Sequence, residues 1–132
     1  MVLTSDIYGT VFKGGTATLL ARVVGSAGAP IVRADIAQIT YSIYLLDDDD
    51  ADRRDAVSGH DAVSLAVAAT VSNQLQVDAL WTIDTIGYNF CHTPDVSAAA
   101  AFPLAGRRYL IEYRLVPAGG QVILVRFRVN AI

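Results

Sequence analysis

The densest group of potential ligand atoms is an acidic run at residues 47–55, which reads DDDDADRRD and holds six carboxylates. Alternate members could offer hard oxygen ligands to Ca²⁺. These members are Asp48, Asp50 and Asp52. The EF-hand loop needs glycine at its sixth position and a bidentate acid at its twelfth, whereas counting from Asp48 these positions hold Arg53 and Gly59. We therefore interpret the run as a solvated connection between strands and predict no cofactor, with calcium as the alternative.

Two short segments place a nucleophile beside a histidine. Ser58, His60 and Asp61 lie within four residues, but catalytic triads are assembled from separate elements. Cys91 and His92 are adjacent in a predicted strand, and alternation sends neighbours to opposite faces, so we expect Cys91 to face the core. Neither histidine has a further histidine or cysteine at zinc spacing. These patterns predict a protein that is not an enzyme.

A third group, Trp81, Tyr88 and Asn89, could bind a carbohydrate, because aromatic faces stack on sugar rings while amides orient hydroxyls. Large rings in a small β domain also supply its core, and Gly87 just before Tyr88 is typical of a turn. We keep a carbohydrate-binding module as the alternative function.

The basic residues are concentrated near the end of the chain. Half of the ten are Arg107, Arg108, Arg114, Arg126 and Arg128. An apolar centre with an arginine rim is common at protein interfaces, and one face of the last two predicted strands combines these features. We therefore predict interface residues Val122, Leu124, Arg126, Arg128 and Arg114. The separation of charge suits a head-to-tail or ring assembly, in which the acidic run of one copy meets the arginines of the next.

Composition supports an assembling protein. The 132 residues are 53% hydrophobic and 17% charged, which excludes intrinsic disorder, and the length predicts a single domain over residues 1–132. A mean hydropathy of +0.40 without a membrane span indicates that other subunits cover some apolar surface. We expect a homo-oligomer or a larger protein assembly.

The net charge and the first residues of the chain reduce the number of partner classes that we expect. A net charge of −3 gives no electrostatic reason for a nucleic acid or an anionic membrane. The single cysteine, Cys91, cannot form an intrachain disulfide. The start has no basic and apolar leader, and no stretch approaches the ~18 apolar residues of a membrane span. We predict no nucleic-acid or membrane partner and synthesis in the cytoplasm.

Short segments rich in β-branched and aromatic residues, separated by Gly, Pro, Asn and Asp, predict an all-β domain. The predicted strands cover residues 7–12, 16–24, 39–46, 62–68, 86–92, 108–116 and 121–129. Seven strands are typical of a small sandwich. The spacing of Val71, Leu75 and Leu80 predicts a short helical turn within residues 71–81, capped by Ser72 or Asn73, and a second turn is expected at 34–38.

The last two strands give the strongest local pattern. Their predicted inner faces are Tyr109, Ile111, Tyr113 and Leu115 on one strand, and Ile123, Val125, Phe127 and Val129 on the other. The two faces coincide if a three- or five-residue connection joins the strands. The five-residue register places Glu112 opposite Arg126, where an ion pair would add a few tenths of a kcal/mol up to about 1.

The segment Gly106-x-x-Tyr109-x-x-x-Tyr113, followed by a turn and a final strand, resembles the last two strands of immunoglobulin-like modules. Residues 15–20, 39–44 and 102–106 are similar to parts of small immunoglobulin-like domains in phage and prophage tail, baseplate and head-decoration proteins. The chain lacks the cysteine pair of antibody domains, and Trp81 lies far beyond the strand that carries their core tryptophan. The resemblance implies an antiparallel two-sheet sandwich and a structural or interaction role, as a decoration, tail or baseplate subunit incorporated into a phage-like particle.

Overall fold

A computed structural model describes residues 3–25, 27–50 and 52–132 of the chain. The described residues form strands joined by one short α-helix, α1 (Val67–Thr70), and one 3-10 turn, Arg33–Asp35. The strands are β1 (Leu3–Val11), β2 (Leu19–Ala21), β3 (Ile36–Leu46), β4 (Arg54–Ala56), β5 (Val63–Leu65), β6 (Val71–Gln76), β7 (Tyr88–His92), β8 (Arg108–Pro117) and β9 (Ile123–Ala131). The expected all-β character is confirmed.

The strands form two sheets. The large sheet has the order β1-β9-β8-β3-β4, and β5 also pairs with β3; the small sheet has the order β2-β7-β6. All pairs are antiparallel except β1 with β9, whose register runs from Leu3 opposite Ile123 to Val11 opposite Ala131 in parallel. The prediction of a wholly antiparallel sandwich is therefore wrong at this edge, because the first strand joins the last one rather than a hairpin partner.

The β8–β9 hairpin has the five-residue register, one of the two that the alternation allows. Glu112 lies opposite Arg126, and Tyr113 lies opposite Val125. Both predicted inner faces are buried, from Tyr109 to Leu115 on β8 and from Ile123 to Val129 on β9. Two long strands with strict alternation exclude any one-residue shift, because such a shift would turn the apolar face of one strand to solvent.

The core lies between the inner faces of the two sheets, in a β-sandwich-like arrangement. Phe90 of β7 packs edge-on against Tyr113 of β8, with 4.7 Å between the ring centroids. The Phe90 ring centroid also lies 6.4 Å from that of Phe127 of β9. Ile39 and Ile43 of β3 are completely buried beside them. Burial of such aromatic and branched side chains is the main favourable term in folding.

The middle of the chain differs from the predicted pattern. The helical turn expected within residues 71–81 is wrong, because Val71–Gln76 is strand β6 and the turn lies earlier, at α1. The predicted strand 62–68 shortens to β5, and 16–24 shortens to β2. The turn expected at 34–38 is a 3-10 turn at Arg33–Asp35. Apolar residues four positions apart can lie on one face of a helix or of a strand, so tertiary contacts determine which of the two forms.

The additional strand β4 begins at the end of the acidic run and continues to Ala56. Leu45 pairs with Asp55, and the Arg54 guanidinium lies 4.1 Å from the centre of the Tyr44 ring. Backbone hydrogen bonds to an edge strand do not require apolar side chains, so the charge pattern gave no signal for β4.

Candidate functional site

Among the described residues, the largest group of exposed large apolar side chains in one segment lies in the 77–87 loop, which connects β6 to β7. The exposed fractions of its large side chains are 56% for Val77, 62% for Leu80, 74% for Ile83 and 55% for Ile86. Single exposed apolar residues are ordinary on a protein surface, but a group of them within one loop marks an interaction site. This loop is therefore the candidate functional site.

Asp84 holds the loop in shape. Its Oδ1 accepts hydrogen bonds from the Trp81 indole at 2.9 Å, from the Ile86 amide at 2.9 Å and from the Gly87 amide at 3.1 Å. Its Oδ2 forms an ion pair with Arg22 at 2.7 Å. The Trp81 hydrogen bond, followed by that of Arg22, holds the pKa of the carboxyl well below its usual range. The carboxylate thus fixes the loop to itself and to the chain segment after β2.

The two ends of the loop are also joined. The Tyr88 hydroxyl donates to Asp78 Oδ2 at 2.6 Å, and this hydrogen bond, together with burial, raises the pKa of Tyr88 to about 12. The Tyr88 ring lies 5.7 Å from the Trp81 ring. Gly87 has φ of +109°, and a Cβ at this position would overlap the carbonyl oxygen of Gln76. The turn into β7 therefore needs glycine.

A mainly apolar groove runs beside the loop, between the edge of the small sheet and the edge of the large one. Its larger cavity, about 470 Å³, is lined by Ile7, Leu20, Ala21, Arg22, Val23, Val24, Trp81, Ile83, Ile123, Leu124 and Val125. A smaller cavity of about 240 Å³ lies between Leu80 and Thr10. Loop, β2, β1 and β9 together form one concave apolar surface.

The three residues of the predicted carbohydrate site have separate environments. Trp81 is half-buried, and its indole N–H is bonded to Asp84. Tyr88 is buried. Asn89 is buried, with its amide bonded to the backbone of Val23 and Ile31. The Asn89 amide is thus committed to holding the chain after β2, and it does not reach a surface where a sugar could bind.

The predicted interface residues lie together. Leu124, Arg126 and Arg128 of β9 share the outer face of the large sheet with Arg114, which lies opposite Leu124. Leu124 is half-buried, as is Val122, which just precedes β9. This outer face is less apolar than the 77–87 loop.

The acidic run neutralises part of the basic charge within the same chain. Asp48 lies 3.7 Å from Arg107 and 3.6 Å from Arg108, and Arg54 lies 3.7 Å from Glu112. Asp50 Oδ1 accepts the amide of Asp52. Within the described residues, no three acidic, histidine or cysteine side chains are grouped closely enough to hold a metal ion.

The two histidines occupy positions that their sequence neighbours do not indicate. His60 Nδ1 lies 2.7 Å from the Tyr41 hydroxyl and its Nε2 lies 2.9 Å from the Ala99 carbonyl, so both ring nitrogens are engaged away from Ser58. His92 Nδ1 lies 2.7 Å from the Tyr113 hydroxyl. The expectation that Cys91 faces the core is wrong, because Phe90 and His92 take that face and Cys91 is half-buried opposite Leu20. Burial raises the pKa of the Cys91 thiol.

Sequence reasoning missed Leu80, Ile83 and Ile86 as surface residues. The sequence pattern predicts Leu80 within a helical turn and Ile86 at the start of a strand, and it assigns no role to Ile83. The signal for an exposed loop is an apolar stretch interrupted by Asp78 and Asp84. A short carboxylate side chain in such a stretch is typical of loops, since it binds backbone amides two or three residues further on.

Comparison with protein-family models finds no matching family, and comparison with curated proteins finds no matching relative. Among the described residues, no helix has the length and apolar character needed to cross a membrane.

Proposed function

We propose that the protein is a non-enzymatic interaction module that assembles with copies of itself through the 77–87 loop and the adjoining groove. The observation that carries this proposal is the exposure of Val77, Leu80, Ile83 and Ile86 on a loop held by hydrogen bonds. The same assembly can serve as a decoration, tail or baseplate subunit in a phage-like particle.

The rigidity of the loop supports the assignment. A flexible apolar loop would have to be ordered on binding, at a cost of about 0.5–1.5 kcal/mol for each side chain immobilised. The four donors that meet Asp84, with Arg22 among them, hold this loop in shape in the free chain. Binding energy from Leu80 and Ile83 is then available for association.

A second copy is the favoured partner because groove and loop are complementary in chemistry. The groove is lined mainly by apolar side chains, and its one lining arginine, Arg22, is already paired with Asp84. The surface therefore favours an uncharged apolar partner such as the 77–87 loop of another copy. The outer face with Arg114, Arg126 and Arg128 is a second surface for larger assemblies.

An immunoglobulin-like fold is part of the proposal. If the strands are matched by their order along the chain, β9-β8-β3-β4 of the large sheet correspond to strands G, F, C and C′ of such domains. The small sheet β2-β7-β6 then corresponds to strands B, E and D, which is the division found in such domains. The Tyr109 hydroxyl near the start of β8 accepts the backbone amide of Leu104 at 3.0 Å, as in a tyrosine corner. An experimental structure with β6 in the large sheet would contradict this fold assignment.

The test is the solution mass of Ile83→Asp, measured by light scattering across a range of concentrations. Ile132→Asp is the matched control, because it places the same charge at an exposed isoleucine outside the loop and groove. We expect the wild type and Ile132→Asp to form the same oligomer and Ile83→Asp to shift to monomer, with a dissociation constant raised at least tenfold. A monomeric wild type would contradict self-assembly, and an unchanged Ile83→Asp oligomer would exclude the loop as the contact.

A further inference from the structure

Two histidines and two tyrosines form a connected cluster inside the molecule. The Tyr41 ring lies 4.9 Å from the His92 ring and 5.8 Å from the Tyr113 ring, and His60 lies 5.9 Å from Tyr41 on its other side. Tyr41 and Tyr113 belong to the large sheet, whereas His92 belongs to the small sheet. The His92–Tyr113 hydrogen bond therefore connects the two sheets.

The direction of that hydrogen bond follows from burial. Tyr113 is completely buried, and within the described residues its hydroxyl is hydrogen-bonded to His92 alone. The hydroxyl must therefore donate to Nδ1, which requires that Nδ1 of His92 carries no proton. Protonation at Nδ1 would reverse the bond and leave the Tyr113 hydroxyl proton without an acceptor in an apolar core.

We propose that the His92–Tyr113 pair is an acid-sensitive latch between the sheets, in which proton uptake by His92 weakens the packing of the small sheet on the large one. Tyr113 is completely buried and His92 is half-buried, and neither residue belongs to the 77–87 loop. Its consequence is a particle subunit whose stability falls in mildly acidic solution.

The groups around His92 do not offer a compensating negative charge in direct contact. Tyr41 of β3 and Tyr113 of β8 are neutral phenols whose pKa values are raised by burial. His60 repels a positive charge on His92. Cys91, next to His92 on β7, has a thiol pKa raised by burial.

One carboxylate, Asp95, lies on the segment after β7. It interacts electrostatically with His60 and Tyr41, and its own pKa is lowered mainly by hydrogen bonds from Ser97. Asp95 is exposed and accepts a hydrogen bond from the Ser97 amide, so its carboxylate stabilises the turn at residues 95–97. The cluster thus favours a neutral His92.

The pH window follows from these environments. Burial, followed by repulsion from His60, lowers the pKa of His92 from 6.5 to about 4. The unfolded chain takes up this proton near pH 6.5, whereas the folded chain resists it, so the stabilisation is complete above 6.5 and is lost as pH falls toward 4. The unfolding constant should rise by up to about tenfold for each pH unit within that window.

The first test is an NMR titration of the wild type, following the imidazole protons. The chain has only two histidines, so the His92 signal is assigned by its absence from His92→Gln. We expect a His92 midpoint below pH 5. A midpoint at pH 6 or above would overturn the latch. The midpoint is measured on the wild type, and His92→Gln serves only to assign the signal.

The second test compares urea unfolding at pH 7.5 and 4.5 for the wild type, His92→Gln and His60→Gln. We expect the wild-type unfolding constant to rise at least tenfold on acidification. His92→Gln should reduce that rise to less than about threefold, while His60→Gln should retain most of it. An equal rise in His92→Gln and the wild type would assign the acid sensitivity to other groups and reject the proposal.

Discussion

The two long sides of the sandwich are closed in different ways. Where β3 meets the small sheet, the four-residue helix α1 contacts β3, β6 and β7, Val67 packs against the core and Val71 is 1% exposed. Where β1 and β2 are the free edges, the 77–87 loop leaves a cavity of about 470 Å³ and keeps Ile83 74% exposed.

The difference shows that closing this sandwich does not require a long apolar loop. On the α1 side, small and branched residues cover the core with a single helical turn. On the other side, the chain uses eleven residues, numbered 77–87, and fixes them through Asp84 so that apolar side chains face solvent. Contacts within the chain close the first side, whereas the second leaves large apolar side chains exposed, and this is the surface through which we propose that copies of the chain associate.

The largest effect is expected at Gly87, which positions the loop. Gly87→Ala places a Cβ against the Gln76 carbonyl at a positive φ, so we expect a loss of about 3–4 kcal/mol in the free energy of unfolding. Urea unfolding measures it. Gly14→Ala is the matched control, since Gly14 also has positive φ but open space around it, and it should lose only about 1 kcal/mol. Equal losses of unfolding free energy in the two variants would mean that the close approach of Gly87 to the Gln76 carbonyl does not require glycine.

Asn89 should rank next, because its amide connects β7 to the chain after β2. Asn89→Ala leaves the Val23 amide and the carbonyls of Val23 and Ile31 without this partner, at a cost of about 2–4 kcal/mol. Asn73→Ala removes one exposed hydrogen bond to Arg33 and should cost under about 1 kcal/mol. Calorimetry of both variants measures the two losses in the free energy of unfolding. A small loss for Asn89→Ala would show that other contacts hold the sheet edge beside the groove.

A paired truncation compares the two sides directly. Val71→Ala, on the α1 side, should lose about 1.5–3 kcal/mol because it opens a cavity in the core. Ile83→Ala, on the loop side, should change the free energy of unfolding of the monomer by less than about 0.5 kcal/mol. Urea unfolding at low protein concentration measures both. A comparable loss at Ile83 would mean that this side chain stabilises the chain itself, and the contrast between the sides would fail.

The smallest effect is local. Asp84→Asn weakens the bonds to Arg22 and the loop amides, so limited chymotrypsin digestion should cut near Trp81 several-fold faster, with little change in global unfolding. Asp52→Asn, in the exposed acidic run, should digest at the wild-type rate. Unchanged cleavage of Asp84→Asn would show that the loop does not depend on its carboxylate.

Much of the fold was predictable where strands are long and alternate strictly. The alternation predicts which faces of the last two strands are buried, Tyr113 and Phe127 included, and it limits the hairpin to two registers, of which the structure has the five-residue one. Short elements were not predictable, because the three-residue strands β4 and β5 and the four-residue α1 carry too few residues to show a period.

The candidate site was predictable only in part. Trp81 and Tyr88 do lie together, but their polar atoms are bonded to Asp84 and Asp78, and the amide of Asn89 is turned inward. The outward position of Ile83 depends on Asp84 meeting Arg22, which is 62 residues away in the chain. No local pattern contains such a contact.

The amino-acid sequence by itself determined the β-rich class, the last hairpin and the alternation that buries its inner face, because these depend on interactions between near neighbours and on side-chain chemistry. Only the tertiary structure decided the parallel pairing of β1 with β9, the contact of His92 with Tyr113 and the exposure of the 77–87 loop. Each of these three features depends on contacts between residues that are distant in the chain. The free energy of those contacts is gained only when the two sheets pack together.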